Sequence, residues 1–316
     1  MPQTLKPPAL EAENVVRIIS LASPVDGNRL EAGARELARL GYKIKFDEAS
    51  TLARDGFFAG QAAERVAALK EALTETDSRA IFCTRGGYGS NYLLDGLSVA
   101  LAAPKILQGY SDLTSLQIFL WQKFRWVTFY GPMVASGFDK GEGAPEGYDR
   151  ESFTNAISET RHGWVIDLQG TETLVPGKVD GTLLGGCLTL IETTLGTAWE
   201  LDTHGSILVL EDRGMKPWQV DRALMHLKQA GKFRGVSAVV LGEFPECEGP
   251  AGTESVKDVA QRILNFFGFP VVWGAAIGHT RRPMLTLPLG VRARLFANDA
   301  DGKGARLETL EPACSG

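Results

Sequence analysis

Ser111 is the residue of this 316-residue chain whose surroundings best fit a nucleophile. The apolar pair Ile106-Leu107 predicts a short strand, which turns at Gly109 before apolar residues recur at helical spacing. A strand that breaks sharply into a helix lifts one side chain above the sheet edge and directs free helix N–H groups toward it. This is the geometry of a nucleophile elbow with Ser111 at its tip, although Leu113 stands where the usual motif has a second glycine. The alternative is an ordinary strand-to-helix turn in which Ser111 or Asp112 caps the helix.

Two further polar residues, Glu211 and His279, each follow a predicted strand. Ligands of open α/β folds bind beyond the carboxyl ends of the strands, so these side chains could meet Ser111 there. A serine hydroxyl needs a base, a neutral imidazole suits that task, and a carboxylate can hold the imidazole in the required tautomer. The chain order Ser, Glu, His is compatible with such a triad. Taken singly, Glu211 can equally be a solvent-facing glutamate and His279 an ordinary loop histidine.

The loop Arg85-Gly86-Gly87-Tyr88-Gly89 follows another predicted strand and could supply backbone donors. It matches neither a P-loop nor a dinucleotide-binding fingerprint. Glycines allow backbone N–H groups to come close to a ligand, which is what an oxyanion hole requires. The alternative is a plain strand-to-helix turn.

The composition favours a soluble globular protein, with 44% hydrophobic and 22% charged residues. A net charge of −5 and a pI near 5.5 argue against a nucleic-acid partner, which would need a basic face. We expect no membrane partner, because no apolar run is long enough to cross a bilayer. The first residues lack the apolar core of a signal peptide, so we expect a cytoplasmic protein.

No metal site and no cofactor are predicted. The cysteines are scattered without CxxC spacing, which indicates free thiols, and neither they nor the histidines are spaced as metal ligands. The chain also lacks an HExxH motif.

Strands alternate with helices along residues 15–137, which predicts an N-terminal α/β domain whose parallel sheet is covered by helices on both faces. Residues 138–174 are irregular and are predicted to link two domains. In the predicted C-terminal domain, 175–312, we expect a loop at 181–187 and a closing strand within 286–295. The predicted strands cover residues 15–22, 42–46, 79–84, 126–130, 207–210, 236–241 and 271–277.

Five motifs, in this order, resemble the LD-carboxypeptidase family of serine peptidases, which includes muramoyl-tetrapeptide carboxypeptidases and microcin C self-immunity peptidases. The similarity runs from about residue 17 to about residue 295. The motifs are Thr84-Arg-Gly-Gly-Tyr-Gly, Gly109-Tyr-Ser-Asp-Leu-Thr, Gly185-Gly-Cys-Leu, Leu210-Glu-Asp, and Gly278-His279 with Leu287-Pro-Leu-Gly.

The resemblance implies a role for each candidate residue. It implies an N-terminal α/β domain, a C-terminal domain with a mixed sheet, and an active site between them. Ser111 would be the nucleophile, Glu211 the orienting acid and His279 the base. The backbone N–H of Asp112 and one from the Gly86-Gly87 turn would bind the oxyanion.

The family activity it implies is that of a metal-independent serine carboxypeptidase, which releases a terminal D-amino acid from murein tetrapeptide during cell-wall recycling. The alternative within the family is hydrolysis of a peptide–nucleotide antibiotic, for which Trp199, Trp218 or Trp273 could supply a stacking surface. A rival from another class is a non-catalytic, amidotransferase-like α/β binding protein. Its nearest other nucleophile, Cys83, lies in a predicted strand, where a thiol is usually buried and inert.

The expected partner is a small peptide whose terminal carboxylate an arginine would bind. Arg85, Arg213 and Arg282 lie near predicted site loops, and each can equally be a solvated surface residue. Met215 stands near a position where family members often carry a further glutamate, which leaves some substrate contacts open. The oligomeric state is also open, with a homodimer as the candidate.

Overall fold

The computed structural model describes residues 3–97, 103–158, 163–297 and 304–316, which fold into two sheets with helices packed against them. The strands are β1 (Val15–Ile19), β2 (Lys43–Lys45), β3 (Ser78–Cys83), β4 (Ile106–Gly109), β5 (Thr128–Tyr130), β6 (Val165–Asp167), β7 (Glu172–Val175), β8 (Gly177–Cys187), β9 (Ser206–Glu211), β10 (Ala238–Gly242), β11 (Val271–Ala275), β12 (Leu287–Leu289), β13 (Arg292–Ala297) and β14 (Arg306–Thr309). The α-helices are α1 (Gly27–Arg39), α2 (Glu48–Thr51), α3 (Ala62–Thr74), α4 (Thr114–Phe124), α5 (Arg150–Ser158), α6 (Leu188–Thr193), α7 (Pro217–Gln229) and α8 (Val256–Leu264). Short 3₁₀ helices cover Ser90–Leu97, Ser111–Leu113, Phe138–Lys140 and Asn265–Phe267.

The first sheet has the strand order β12-β5-β4-β3-β1-β2. Its strands β1 to β5 are parallel to one another, as the alternation of strands and helices predicts. The edge strand β12 comes from the C-terminal half of the chain and pairs antiparallel with β5, Leu287 opposite Tyr130. Residues 286–295 were expected to close the second domain. This holds for β13, which pairs with β8, whereas β12 joins the first sheet instead.

The second sheet is mixed and has the order β6-β14-β13-β8-β9-β10-β11-β7. Strands β8 to β11 are parallel, whereas β13, β14, β6 and β7 pair antiparallel with their neighbours. The loop predicted at 181–187 is wrong, because these residues belong to the long strand β8. The segment 138–174, predicted as a linker, supplies the edge strand β6 and all but the last residue of the other edge strand, β7.

Helix α4, which follows Ser111, lies between the two sheets. All residues from Thr114 to Trp121 are buried, and the helix contacts both β5 and β8. Leu116 and Leu120 pack into one hydrophobic cluster, while Ile118 packs into another. A helix that is apolar on every side is expected in such a position, and each large apolar side chain buried there contributes about 1.5–3 kcal/mol before the opposing entropy. This packing fixes the serine turn at the junction of the sheets.

Helix ends near this core follow ordinary capping chemistry. The Asp26 side chain accepts a hydrogen bond from Arg29 N at the start of α1, and Ser255 Oγ accepts one from Asp258 N at the start of α8. Pro217 occupies the first turn of α7, where its missing N–H is not needed. Within the described ranges no helix is both long and apolar enough to cross a membrane.

Candidate active site

Ser111 lies in a sharp turn between β4 and α4. Its φ is +63°, a left-handed conformation that is uncommon for a residue with a side chain and that costs about 1–3 kcal/mol. Gly109 fits beneath the turn, since a Cβ at that position would lie 3.2 Å from Leu113 Cγ. Leu113 thus packs over Gly109 at the position where the usual motif has its second glycine. The strand–turn–helix geometry is the one that the sequence predicts, whereas the nucleophilic role of Ser111 stays a prediction.

Glu211 and His279 form a hydrogen-bonded pair, with Glu211 at the end of β9 and the partly buried His279 in the segment that follows β11. Glu211 is fully buried, and its Oε2 accepts hydrogen bonds from both His279 N and His279 Nδ1, each 2.8 Å long. Its other oxygen, Oε1, accepts a 2.5 Å hydrogen bond from the Tyr130 hydroxyl. The Nδ1–H therefore points to the carboxylate, which leaves Nε2 as the ring nitrogen able to accept a proton.

Two glycines make room for this carboxylate. Gly278 has a φ of +57°, and a Cβ there would lie 2.6 Å from Glu211 Oε1. A Cβ on Gly242 would lie 2.6 Å from Glu211 Cβ. Contacts this short do not occur between real atoms, so both positions require glycine while Glu211 holds its place. The Gly278-His279 motif is thus a packing requirement as well as a sequence signature.

Glu211 and His279 each shift the pKa of the other in the direction that favours its charged form. Burial raises the pKa of Glu211, but the charge and hydrogen bonds of His279 and the Tyr130 hydroxyl outweigh it, so this pKa lies below its usual value. Burial lowers the pKa of His279, but the charge and hydrogen bond of Glu211 outweigh it and raise this pKa above its usual value. The carboxylate is consequently ionised and ready to stabilise an imidazolium ring.

Ser111 and His279 are brought together through their neighbours. The Tyr110 ring packs edge-on against the imidazole, with 5.1 Å between ring centroids. Ser111 N donates to the Tyr130 hydroxyl over 3.3 Å, and that hydroxyl donates to Glu211. No hydrogen bond joins Ser111 Oγ to His279 in the described part of the chain. Catalytic hydrogen bonds are often long in ligand-free structures and tighten when substrate binds.

The glycine loop lies directly against the serine. A Cβ on Gly86 would lie 2.9 Å from Ser111 Cβ, 3.1 Å from Ser111 Oγ and 3.4 Å from Asp112 N. Gly87 has a φ of +113°, and a Cβ there would lie 2.6 Å from Ser23 Cβ. The two backbone segments predicted to donate to an oxyanion therefore meet beside the serine hydroxyl.

The Asp112 side chain holds the glycine loop to the serine turn. Its Oδ2 accepts a 2.8 Å hydrogen bond from Ser90 N, and its backbone carbonyl accepts one of 2.5 Å from Ser90 Oγ. Burial raises the pKa of Asp112, although the hydrogen bonds from Ser90 oppose this effect. The prediction assigned a role only to the backbone of Asp112, and the contribution of its side chain was missed.

A cavity of about 320 Å³ opens beside His279 and Tyr110. Cationic side chains outnumber carboxylates in its wall, but Arg29, Arg213 and Arg281 are already paired with carboxylates. Arg85 and Lys140 form no ion pair with a described residue and can attract an anionic ligand. The cations are Arg29, Arg85, Lys140, Arg213 and Arg281, and the carboxylates are Glu146 and Glu246.

The three candidate arginines differ in their partners. Arg85 donates to the Pro24 carbonyl over 3.3 Å and forms no ion pair with any residue that the structure describes. Arg213 forms a two-point ion pair with Glu246. Arg282 binds Glu243 and two backbone carbonyl oxygens and lines a different cavity. Of these three arginines, Arg85 is therefore the one best able to bind a substrate carboxylate.

None of the three candidate tryptophans lines the cavity beside His279. Trp199 packs edge-on against Phe119, and Trp273 stacks on Phe244. Trp218 is 60% exposed on α7. An aromatic stacking surface for a nucleobase is accordingly not formed by these residues at this cavity.

Cys83 is buried within β3, and burial raises the pKa of its thiol to about 12. A thiol with such a pKa is almost entirely protonated at neutral pH and is a poor nucleophile. In the described ranges no three His, Cys, Asp or Glu residues are grouped as metal ligands would be. His162, one of the four histidines, lies outside the described residues.

Tyr130 and Tyr110 are site residues that the sequence did not reveal. Tyr130 ends the strand predicted at 126–130, so its place at the carboxyl end of a strand was a usable signal. Tyr110 precedes Ser111 and lies 7% exposed between the serine turn and the imidazole. A tyrosine at the end of an apolar strand usually only packs, which is why neither residue stood out.

Comparisons with known proteins agree with this architecture. Residues 16–131 match the LD-carboxypeptidase N-terminal domain, and residues 180–295 match the LD-carboxypeptidase C-terminal domain. The chain is 34% identical over 295 residues to the "Probable murein peptide carboxypeptidase" of Bacillus subtilis, covering 92% of this chain and 91% of that protein. It is 31% identical over 305 residues to the "Microcin C7 self-immunity protein MccF" of Escherichia coli, covering 87% of each.

Solved structures give the same grouping. The wild-type apo structure of MccF superposes with a TM-score of 0.87 at 27% identity, covering 98% of this chain and 100% of that one. The muramoyltetrapeptide carboxypeptidase from Oxalobacter formigenes gives 0.79 at 28% identity, covering 94% and 99%. The two-sheet fold and these relatives define a peptidase. More narrowly, the chain belongs to the LD-carboxypeptidase family.

Proposed function

We propose that this chain is a metal-independent serine carboxypeptidase that releases a terminal D-amino acid from murein tetrapeptide during cell-wall recycling. The observation that carries the proposal is the hydrogen-bonded Glu211–His279 pair, which is linked through the Tyr130 hydroxyl to a serine held at a φ of +63°. The strained backbone of a nucleophile elbow exposes the hydroxyl at the start of a helix. The family membership supplies the class of reaction.

The chemistry follows from the contacts of the three residues. Ser111 Oγ attacks the scissile carbonyl while His279 Nε2 takes the hydroxyl proton. The negative charge on the carbonyl oxygen is stabilised by the backbone N–H groups of Asp112 and the Gly86-Gly87 turn. Glu211 stabilises the imidazolium, which then protonates the leaving amine as the peptide bond breaks. Water, deprotonated by the same imidazole, hydrolyses the acyl-enzyme and regenerates Ser111.

The charge of the cavity supports a peptide substrate with free carboxylates. A carboxypeptidase must bind the terminal carboxylate of its substrate, and an arginine fork matches that group. Arg85 meets this need because its guanidinium is not neutralised by a carboxylate among the described residues. Lys140 lines the same cavity without an ion pair among the described residues, and it favours a substrate that carries a further acidic group, as a murein peptide does.

The second candidate is a peptide–nucleotide antibiotic, and the similarity to MccF favours it. The position of Trp199, Trp218 and Trp273 outside the cavity weighs against a base-stacking site built from them. The rival without catalysis, an amidotransferase-like binding protein, would have no use for the Glu211–His279 pair. A cytoplasmic location and a homodimer remain part of the proposal, and analytical ultracentrifugation would test the second.

The test is a comparison of substrates. The tetrapeptide ending in D-alanine, the same peptide ending in L-alanine, and a peptidyl nucleotide are each offered to the enzyme, and kcat/KM is measured by mass spectrometry. We expect the D-ended tetrapeptide to give the largest kcat/KM and Ser111→Ala to lower its kcat by about 10⁴-fold or more. Preference for the L-ended peptide, or cleavage of the nucleotide conjugate alone, would overturn the assignment.

A further inference from the structure

Tyr130 lies where the serine turn, the acid and the two sheets meet. It is the last residue of β5 and is fully buried. Its hydroxyl oxygen accepts a hydrogen bond from Ser111 N over 3.3 Å and donates its own hydrogen to Glu211 Oε1 over 2.5 Å. One hydroxyl group therefore contacts both the residue proposed as nucleophile and the residue proposed as acid.

The backbone around Tyr130 connects it to both halves of the site. Within the first sheet its register partners are Gly109, two residues before the serine, and Leu287, in the strand that follows the His279 loop. Gly186 of β8 lies against the ring, because a Cβ there would be 3.0 Å from Tyr130 Cε2. The ring is thus held between the two sheets, and its hydroxyl has little freedom to leave the site.

We propose that Tyr130 is a positioning residue, whose hydroxyl holds the Glu211 carboxylate so that Oε2 stays with His279 and at the same time fixes the Ser111 amide in the turn. The inference rests on the proposed function, because it assigns Tyr130 a part in the same reaction. Tyr130 acts through Glu211 and Ser111 and does not itself touch the substrate.

The hydrogen-bond donors at Glu211 explain why the Tyr130 hydroxyl matters. Oε2 is occupied by the amide and ring nitrogens of His279, so Oε1 depends on Tyr130. Without that hydroxyl, a buried charged oxygen would lose its donor and the carboxylate would become more basic. A more basic Glu211 binds the Nδ1 proton more strongly, and His279 then accepts a proton at Nε2 more readily and loses it at higher pH.

Other groups also face this pair and must be held constant in the test. They are Tyr110, Cys187, Asp212, Arg213 and, at longer range, Glu246. None of them hydrogen bonds to the Tyr130 hydroxyl, so a Tyr130→Phe substitution leaves their contacts in place. It removes the hydrogen bonds that the hydroxyl forms with Glu211, Ser111 N and the Thr114 side chain.

The experiment compares Tyr130→Phe with Tyr148→Phe. Tyr148 is the matched control, because it is also fully buried and its hydroxyl also donates to a carboxylate, that of Glu36 over 2.6 Å, and neither residue lines the cavity beside His279. For Tyr130→Phe we expect kcat to fall on the order of 10- to 100-fold, by analogy with the loss of an outer hydrogen-bond partner of a metal ligand. KM should stay within about twofold, because substrate contacts are intact. The acidic limb of the pH profile of kcat should move to higher pH by several tenths of a pH unit.

A direct titration covers the case in which Tyr130→Phe folds poorly. The ring signals of His279 are followed by NMR in the Ser111→Ala background, first with Tyr130 and then with ortho-fluorotyrosine at position 130. Fluorination strengthens the hydrogen bond that the phenol donates, so the His279 titration should move to lower pH, opposite to the shift in Tyr130→Phe. A purely structural tyrosine would lower thermal stability and move neither titration.

The two proposals fail in different ways. Wild-type kcat and pH profile in Tyr130→Phe, with Ser111→Ala inactive, would overturn the role of Tyr130 and leave the serine mechanism standing. Equal losses in Tyr130→Phe and Tyr148→Phe would also overturn it. Full activity of Ser111→Ala would overturn the proposed function itself.

Discussion

Glu211 and His279 are joined through a single carboxylate oxygen, since Glu211 Oε2 accepts both the backbone N–H and the ring Nδ1–H of the histidine over 2.8 Å. The hydrogen bond to the backbone N–H fixes the position of the His279 backbone, and the hydrogen bond to Nδ1–H fixes the orientation of the imidazole ring. Because Tyr130 holds the other oxygen, the carboxylate keeps its position while it orients the base. This pairing also determines how the rate should depend on pH.

The rate should fall as the pH falls, because His279 must be neutral to accept the proton of Ser111. The folded-state pKa of His279 is raised above its usual value of ~6.5, so the protonated form persists to higher pH than in an isolated histidine. We expect the acidic midpoint of kcat/KM to lie above pH ~6.5. A steady-state pH profile with the D-ended tetrapeptide measures it. A flat profile between about pH 5 and about pH 8 would contradict a histidine base.

Gly278→Ala should lower kcat on the order of a hundredfold, because a Cβ there would displace Glu211 and a shift of about 1 Å at a catalytic group is enough for such a loss. Gly252→Ala is the matched control: Gly252 has a similar left-handed conformation, φ +81°, but a Cβ there would meet open space. Both variants carry backbone strain, so thermal unfolding should report a loss for each. Similar kcat values for the two variants would show that the Gly278–Glu211 contact is not needed for turnover.

Arg85→Gln should lower kcat/KM for peptides with a free terminal carboxylate on the order of 10- to 100-fold. A hydrogen bond to a charged group contributes about 1.5–3 kcal/mol, and glutamine cannot form the two-point ion pair. The control is the same peptide ending in an amide, which wild type and variant should cleave with similar kcat/KM. An equal loss of kcat/KM for both peptides would mean that Arg85 does not bind the terminal carboxylate.

Activity should survive prolonged treatment with EDTA. The mechanism uses a serine, a histidine and a carboxylate, and the part of the chain that the structure describes holds no group of residues arranged as metal ligands. Turnover before and after chelation, with added zinc as the control, is the measurement. An activity that EDTA removes and zinc restores would contradict a metal-independent reaction.

Much of this site could be predicted because each residue follows a readable local signal. Apolar runs located the strands, and Ser111, Glu211 and His279 were noticed as polar residues at their carboxyl ends. Parallel strands bring their carboxyl ends to one edge of a sheet, which accounts for Glu211 and His279, because β9 and β11 belong to the same sheet. Ser111 follows β4 of the other sheet, so its place near this pair depends on how the two sheets pack. The catalytic roles of these residues stay predictions, since geometry alone does not test them.

The errors came from information that a linear pattern lacks. Gly185 and Gly186 suggested a loop, yet they lie in β8. Glycine is needed at both positions, because their φ values are +129° and +139° and a Cβ would collide with Val209 at the first and with Thr114 at the second. Strand β12 was assigned to the wrong sheet, because alternation identifies a strand but not its pairing partner.

The same limit applies to polar partners. Arg85 and Arg282 are equivalent in the sequence, and only the fold shows that Arg282 is already bound to Glu243 and to backbone carbonyl oxygens. Tyr130 likewise became a site residue only when the two sheets brought its hydroxyl to Glu211. Contacts between distant segments decide these roles, and no local spacing encodes them.

The central claim is that Ser111 is the nucleophile, and covalent labelling tests it most directly. A fluorophosphonate reacts only with an activated serine, so the purified enzyme is treated with it, digested, and mapped by mass spectrometry. We expect one adduct, on Ser111, with labelling strongly slowed in His279→Ala and absent in Ser111→Ala, whose kcat should fall about 10⁴-fold. No adduct on the wild-type enzyme, an adduct on another residue such as Ser115, or near-normal turnover by Ser111→Ala would contradict the account.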